Sequence, residues 1–420
     1  MMAVRNNTKP MNELLNETLT IVLAGGHGSR LKPLTHERAK PAVPFGGKYR
    51  IIDFCLANCL HSGLRRVLVL TQYKSHSLHK HLRDGWSIFN PELGEYITAV
   101  PPQMRQHESW YEGTADAIHQ NQYLLDRADA DQVLILSADH IYRMDFGAML
   151  SHHHDSGAEV TVASMPVSLA EARAFGVVVT DEEQRIVGFE EKPEQPKPFA
   201  GQSEQALVSM GIYIFSKALL QQLLDEDAAD SNSSHDFGHD ILPRILERHR
   251  VIAYPFGGNS GRVSRDCYWR DIGTIDAYYA ANMDLLSPVP PLNLYQPDWP
   301  IRTFQRQTPP ARTVPGASGN EGIFINSIAA GGVVIAGGSV RHSVIFPHVF
   351  IDDEAMVEDA ILFQGVKVGN GSRLRRCIVD KHVTIPPYSV IGYDQEEDLR
   401  RFTVSPDGVV VVPKGFRFET

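Results

Sequence analysis

Three glycines and two cations crowd the end of a short apolar run: Leu23-Ala24-Gly25-Gly26-His27-Gly28-Ser29-Arg30-Leu31, then Thr35 and Lys40-Pro41. That combination is suited to phosphate. Glycines without a Cβ let backbone N–H groups approach an anion, Arg30 supplies a planar fork, and Lys40 supplies a point charge. Two commoner phosphate motifs do not fit. A dinucleotide fingerprint needs glycine where Leu31 stands, and a P-loop needs Gly-Lys-Ser/Thr, whereas Gly47-Lys48 is followed by Tyr49. A plain βα turn also uses glycines; Arg30 and Lys40 at this spacing favour the anion.

Acids that could accompany a phosphate stand elsewhere. Asp139 directly follows the apolar run Val133–Leu136, in Ser137-Ala138-Asp139-His140, and Asp271 lies in Tyr268-Trp269-Arg270-Asp271 just ahead of a helical pattern. Two carboxylates beside phosphates are the usual inventory for Mg2+. Spacing alone does not bring residues 139 and 271 together, and either could instead cap a helix. Phe189-Glu190-Glu191-Lys192-Pro193 ends a strand-like run with a charged pair, so Lys192 could meet a substrate phosphate or sit on a surface turn. Trp110-Tyr111-Glu112-Gly113-Thr114 offers aromatic surface for a base and a Gly-Thr helix start, though aromatics there serve a core equally well. Consecutive His152, His153 and His154 point around a helix and cannot chelate one ion together, so they read as solvated.

These groups need a scaffold. From about residue 19 to 286, apolar runs such as Val67–Leu70 and Val133–Leu136 alternate with helical patterns at about 53–62 and 114–127, which predicts a mostly parallel sheet in three layers. Cys55 and Cys59, four apart, fall on a buried helix face. Residues 287–318 are proline-rich and read as an extended linker that wraps or connects. Beyond it, over 319–420, aliphatic residues recur at short intervals between small or turn residues, as in Val334-Ile335-Ala336-Gly337-Gly338-Ser339-Val340. That is the pattern of a hexapeptide β-helix, with strands of a β-sandwich as the alternative. A solenoid leaves flat faces and commonly joins subunits. A net charge of −10 argues against nonspecific nucleic-acid binding. The first eighteen residues lack a continuous apolar signal segment, no apolar stretch is long enough to span a membrane, and no Cys-x-x-Cys pair occurs; a cytoplasmic protein is expected.

Taken in order, LAGGHGSRL at 23–31, RAKPAVPFGGKYRIIDF at 38–54, SWYEGTADA at 109–117, SADHIYRMD at 137–145, FEEKP at 189–193, SMGIYIF at 209–215, SSHDFGHDILP at 233–243 and YWRDIGTIDAY at 268–278 resemble the glucose-1-phosphate adenylyltransferases of bacterial glycogen synthesis. The resemblance covers nearly the whole chain. It implies a Rossmann-like α/β nucleotidyltransferase domain of GT-A type, a C-terminal left-handed parallel β-helix, and the reaction of ATP with α-glucose 1-phosphate to give ADP-glucose and pyrophosphate. By the same resemblance Arg30, Lys40, Asp139 and Asp271 are catalytic, with Mg2+ on the two acids. Leu23, Gly25, Gly26, Gly28, Gln72, Gln103, Gly113 and Thr114 would bind nucleotide. Tyr111, Gly176, Glu191, Lys192, Ser209, Tyr213, Asp236 and Phe237 would bind the sugar phosphate. Arg38, Lys48, Arg50 and Trp110 would serve regulation by phosphorylated or carboxylate effectors, with AMP as inhibitor, in a homotetramer. One departure stands out: Glu37 occupies the place of a lysine found in members activated by fructose 1,6-bisphosphate. Competing readings are a transferase for another nucleotide, a noncatalytic regulatory subunit, and acyl transfer by the solenoid, for which His342, His348 and His382 are too scattered.

Overall fold

The computed structural model describes residues 9–26, 28–103, 110–199, 201–257, 263 and 267–418. His27 and Ser109, which belong to two of the motifs above, lie outside them, as do residues 1–8. Four strands, Tyr96–Val100, Arg66–Thr71, Thr18–Ala24 and Gln132–Ser137, run parallel in that spatial order. The sheet is nevertheless mixed. Gln205–Ser216 runs antiparallel to Gln132–Ser137 and to Val160–Ser168, and Gly176–Thr180 pairs antiparallel with Ile186–Glu191. The βα rhythm that predicts a parallel sheet ends near residue 155. After it, long strands pass directly through turns and short helices, which allows antiparallel neighbours.

The first anticipated helix is Ile51–Ser62, stopped by Gly63 at φ 91, and it buries Cys55 and Cys59. The second is interrupted. Thr114–His119 and Gln122–Arg127 are separate helices, because the Asn121 side chain donates to Ala117 O and to the Tyr111 hydroxyl, both at 2.8 Å, and competes with the backbone ladder. The histidine triplet also differs from expectation. His153 is buried with Nδ1 on Thr161 Oγ1 at 2.8 Å, and burial pushes its pKa down to about 4.

The proline-rich segment lies against the first domain. Trp299 is buried and donates to Asn58 Oδ1 at 3.0 Å, while Arg143 donates to Gln296 Oε1 and Asn293 O. Arg312–Val314, inside that segment, pairs parallel with Val334–Ala336 and is already the first rung of the solenoid. Further rungs stack in three parallel ladders, represented by Phe350 on Lys367, Met356 on Arg373, and Ile361 on Ile378. His342, His348 and His382 adopt φ of 44, 60 and 59 and stand at turns between rungs.

The third ladder decides how the domains meet. Ile345, Leu362 and Val379 fill the solenoid, whereas their neighbours Val344, Ile361 and Ile378 turn outward into the core that contains Phe45, Tyr278 and Leu285. Alternation along a strand thus serves two cores at once. Phe363 packs edge-on against Tyr278, and the Tyr279 hydroxyl donates to Asp359 O at 2.7 Å. Among the described residues no helix is long and apolar enough to cross a membrane.

Candidate active site

The strand Thr18–Ala24 delivers its glycines at a carboxyl end of the sheet, where open α/β sheets place ligands. Gly28 has φ 58, and a Cβ there would lie 3.1 Å from Thr35 Cγ2 and 3.2 Å from Lys40 Cβ, so the loop closes directly over the Lys40 stem. Thr35 Oγ1 donates to Gly28 O at 2.8 Å and holds that closure. Lys40 itself starts a short 3-10 turn, Lys40–Ala42, that fixes its backbone.

The two acids meet through a small antiparallel ribbon that pairs His140–Tyr142 with Trp269–Asp271 and sets His140 opposite Asp271. Lys40 Nζ donates to Asp139 Oδ2 at 2.7 Å and to Asp271 Oδ1 at 3.1 Å. Burial acts to raise the Asp139 carboxyl, but the Lys40 ammonium and His140 outweigh it and hold its pKa well below the carboxylate range. Burial acts to lower Lys40; Asp139 and Asp271 prevail and its pKa is raised. Ligand atoms of Asp139, His140 and Asp271 lie within 4.8 Å of one another, so the donor set suits a divalent cation. His140 was not anticipated, although its place beside Asp139 is a signal.

A cavity of about 630 Å³ joins these groups to the motifs of the later segments. Its walls include Leu23, Gly25, Gly26, Gly28, Arg30, Gln72, Tyr111, Gly113 and Thr114 together with Gly176, Glu191, Lys192, Ser209, Tyr213, Asp236 and Phe237. Gln72 Nε2 donates to Tyr111 O at 3.2 Å. A Cβ on Gly113 would lie 2.1 Å from His235 O; only glycine permits the Gly113-Thr114 turn to seat against the His235–Phe237 segment. Thr114 Oγ1 then donates to Asp236 Oδ2 at 3.0 Å and accepts from Phe237 N at 3.1 Å. Lys192, at φ 48, extends its ammonium to Glu191 Oε1 at 2.5 Å while its side chain stays largely exposed. Met210, Gly211, Trp269 and Gly273 also line the cavity and had no separate sequence signal.

Other anticipated residues stand outside it. Gln103 donates to Pro101 O, and Trp110 stacks on Tyr73 with ring centroids 4.7 Å apart. Lys48 and Arg50 line a second cavity of about 540 Å³ at the seam between the domains, with Arg306 and Lys381, which were missed because they lie far off in sequence. Arg38 is buried beside that seam, its Nη2 on both Asp380 oxygens at 2.8 and 3.0 Å.

A glycine loop and paired acids lining one cavity on a mixed α/β sheet define a nucleotidyl transferase. Residues 19–288 match the nucleotidyl transferase family and residues 309–412 match the GlmU-like C-terminal hexapeptide family, whose solenoid is a left-handed β-helix. The chain is 61% identical to glucose-1-phosphate adenylyltransferase 2 of Vibrio cholerae, over 97% of this chain and 100% of that protein. It is 50% identical to the glucose-1-phosphate adenylyltransferase of Rhodopirellula baltica, over 96% and 91%, and 48% identical to that of Methylococcus capsulatus, over 96% and 94%. The chain belongs to the glucose-1-phosphate adenylyltransferase family.

Proposed function

We infer that the chain transfers the adenylyl group of ATP to α-glucose 1-phosphate, releasing pyrophosphate and supplying ADP-glucose for glycogen synthesis. The carrying observation is that one cavity is lined by the glycine loop and paired acids together with Glu191, Lys192 and Asp236. An oxygen of the sugar phosphate attacks the α-phosphorus as pyrophosphate departs, so alignment and charge neutralisation dominate. The glycine loop and Arg30 hold the departing phosphates, Lys192 holds the sugar phosphate, and Glu191 and Asp236 are acceptors for sugar hydroxyls. Asp139 and Asp271 fit Mg2+, which when bound supplies neutralising charge to the nucleotide phosphates. A regulatory subunit would tend to lose these charges, and Arg30, Lys40, Asp139, Lys192 and Asp271 are all present. Product analysis with glucose 1-phosphate and each of ATP, UTP, dTTP and GTP tests the reading. ADP-glucose is expected to dominate; preference for another nucleotide overturns it.

Lys192→Ala is expected to raise the KM for glucose 1-phosphate with little change in that for ATP, because its cation meets the sugar phosphate in ground and transition states alike. Steady-state kinetics decide. An equal rise in both KM values would remove Lys192 from the sugar-phosphate side.

Regulation fits the seam cavity. Burial pushes Lys381 down to about 7, helped by Arg50 and Arg38, and burial also lowers Lys48 and Arg50, so the site carries cationic strain that an anionic effector or AMP would relieve. Glu37 is ion-paired with Lys414 near this seam, which adds a carboxylate and neutralises a cation. Activation by fructose 1,6-bisphosphate is expected to be weak or absent, with a different preferred effector such as fructose 6-phosphate or pyruvate. A panel of glycolytic intermediates at subsaturating ATP, with Glu37→Lys alongside, checks this. Strong activation of the unaltered chain by the bisphosphate would show that Glu37 does not set the response.

A homotetramer is supported by the solenoid's outer ladder, which leaves Ile323, Met356 and Val390 exposed beside a row carrying Arg341, Glu358 and Arg375. The exposed aliphatics suit a contact between like chains, in which the Arg341–Glu358–Arg375 row is offset by one rung so that unlike charges face each other. A cytoplasmic setting is supported by four free cysteines.

A further inference from the structure

We propose that Lys40 is a resident counter-cation that shares Asp139 and Asp271 while no nucleotide is bound and must leave them when a divalent ion arrives, so that bare metal ion binds weakly and tight binding comes only with the nucleotide. This rests on the reading of Asp139 and Asp271 as the metal-holding acids, and it concerns what opposes the metal there.

The ammonium already occupies both carboxylates, 2.7 Å from Asp139 Oδ2 and 3.1 Å from Asp271 Oδ1. A divalent ion bound by the same acids competes for those oxygens and stands against a positive charge in a site where Lys40 is only 6% exposed. Two carboxylates and one ammonium leave a single net negative charge, so the empty site is largely compensated without metal. Without Lys40 the acids would keep only their peripheral partners, such as His140 at 3.4 Å from Asp139 Oδ1, and would lose the one cation that bridges them, which leaves a stronger divalent site.

The side chain is also placed to leave. Its backbone is fixed by the Lys40–Ala42 turn with proline at the second position, and its stem passes beneath Gly28 at the phosphate loop. An ammonium on a flexible four-carbon stem can turn from the acids to a phosphate oxygen without backbone movement. The nucleotide therefore does two things at once: it brings phosphate ligands for the metal and an alternative partner for Lys40.

The consequence has an unusual sign. Losing a residue that only binds phosphate leaves metal affinity in the absence of nucleotide unchanged, whereas losing a competing cation increases it. Mn2+ is the probe, with the free aquo ion counted by electron paramagnetic resonance on the full nucleotide-free chain. Lys40→Met is expected to bind Mn2+ at least about tenfold more tightly than the unaltered chain. Lys40→Arg, which keeps the cation, should stay weak, and Asp139→Asn should bind more weakly than either. A second readout is thermal: Mn2+ should raise the unfolding temperature of Lys40→Met more than that of the unaltered chain, which keeps the test valid if the variant is less stable. Unchanged or weaker Mn2+ binding by Lys40→Met, with Asp139→Asn impaired, overturns the proposal and leaves the acids as metal ligands. Undiminished Mn2+ binding by Asp139→Asn overturns the metal assignment itself, and the proposal with it.

Discussion

Asp139→Asn is expected to lower kcat by more than about 10²-fold at saturating Mg2+ while the KM for glucose 1-phosphate changes little. Asparagine keeps the shape of the side chain and can still accept from Lys40, so the fold around the acid pair is retained. What disappears is the negative charge at the end of Gln132–Ser137, the one that Ser137 Oγ and Lys40 Nζ now orient from opposite oxygens. Charge of that kind matters most where phosphate charge is redistributed, in the transition state, and little for a sugar phosphate held, as proposed above, by Lys192. Initial-rate kinetics over a Mg2+ series separate the terms. Turnover close to that of the unaltered chain at saturating Mg2+ would remove Asp139 from metal holding.

How much of this site could be read from residues alone depended on how local each signal was. The glycine loop is a continuous stretch of about twenty residues, so glycines and cations declare themselves together. Asp139 was legible because it follows an apolar strand directly. The convergence of Asp139 with Asp271 was not, since it is produced by a ribbon whose two strands are three residues each and carry no alternation to detect. The same holds for His153, whose burial depends on Thr161 of a neighbouring strand, and for Asn121, which interrupts a helix through side-chain bonds that propensity does not reveal. The solenoid was legible as a repeat. That Val344, Ile361 and Ile378 face a second core was not, because an outward aliphatic in a ladder looks the same whether it meets water or another domain.

Those outward residues form the apolar part of the seam, and Arg38 with Asp380 forms its buried ionic part. Arg38→Ala is expected to cost about 3–5 kcal/mol of stability, because it strands a desolvated carboxylate. Asp380 is 1% exposed, and besides Arg38 it accepts from Lys381 N at 2.6 Å. Arg38→Lys should recover only part of the loss, since an ammonium cannot present the guanidinium's geometry to both oxygens. Removing both charges together, as in Arg38→Met with Asp380→Leu, should cost less than Arg38→Ala, which distinguishes a stranded charge from a lost contact. Calorimetric unfolding of the three variants measures this. Arg38 stands two residues before Lys40, so a slackened seam should also raise the KM for ATP in Arg38→Ala and not in the apolar pair. A stability change below about 1 kcal/mol would mean that solvent reaches the pair and that the apolar rungs alone hold the domains together.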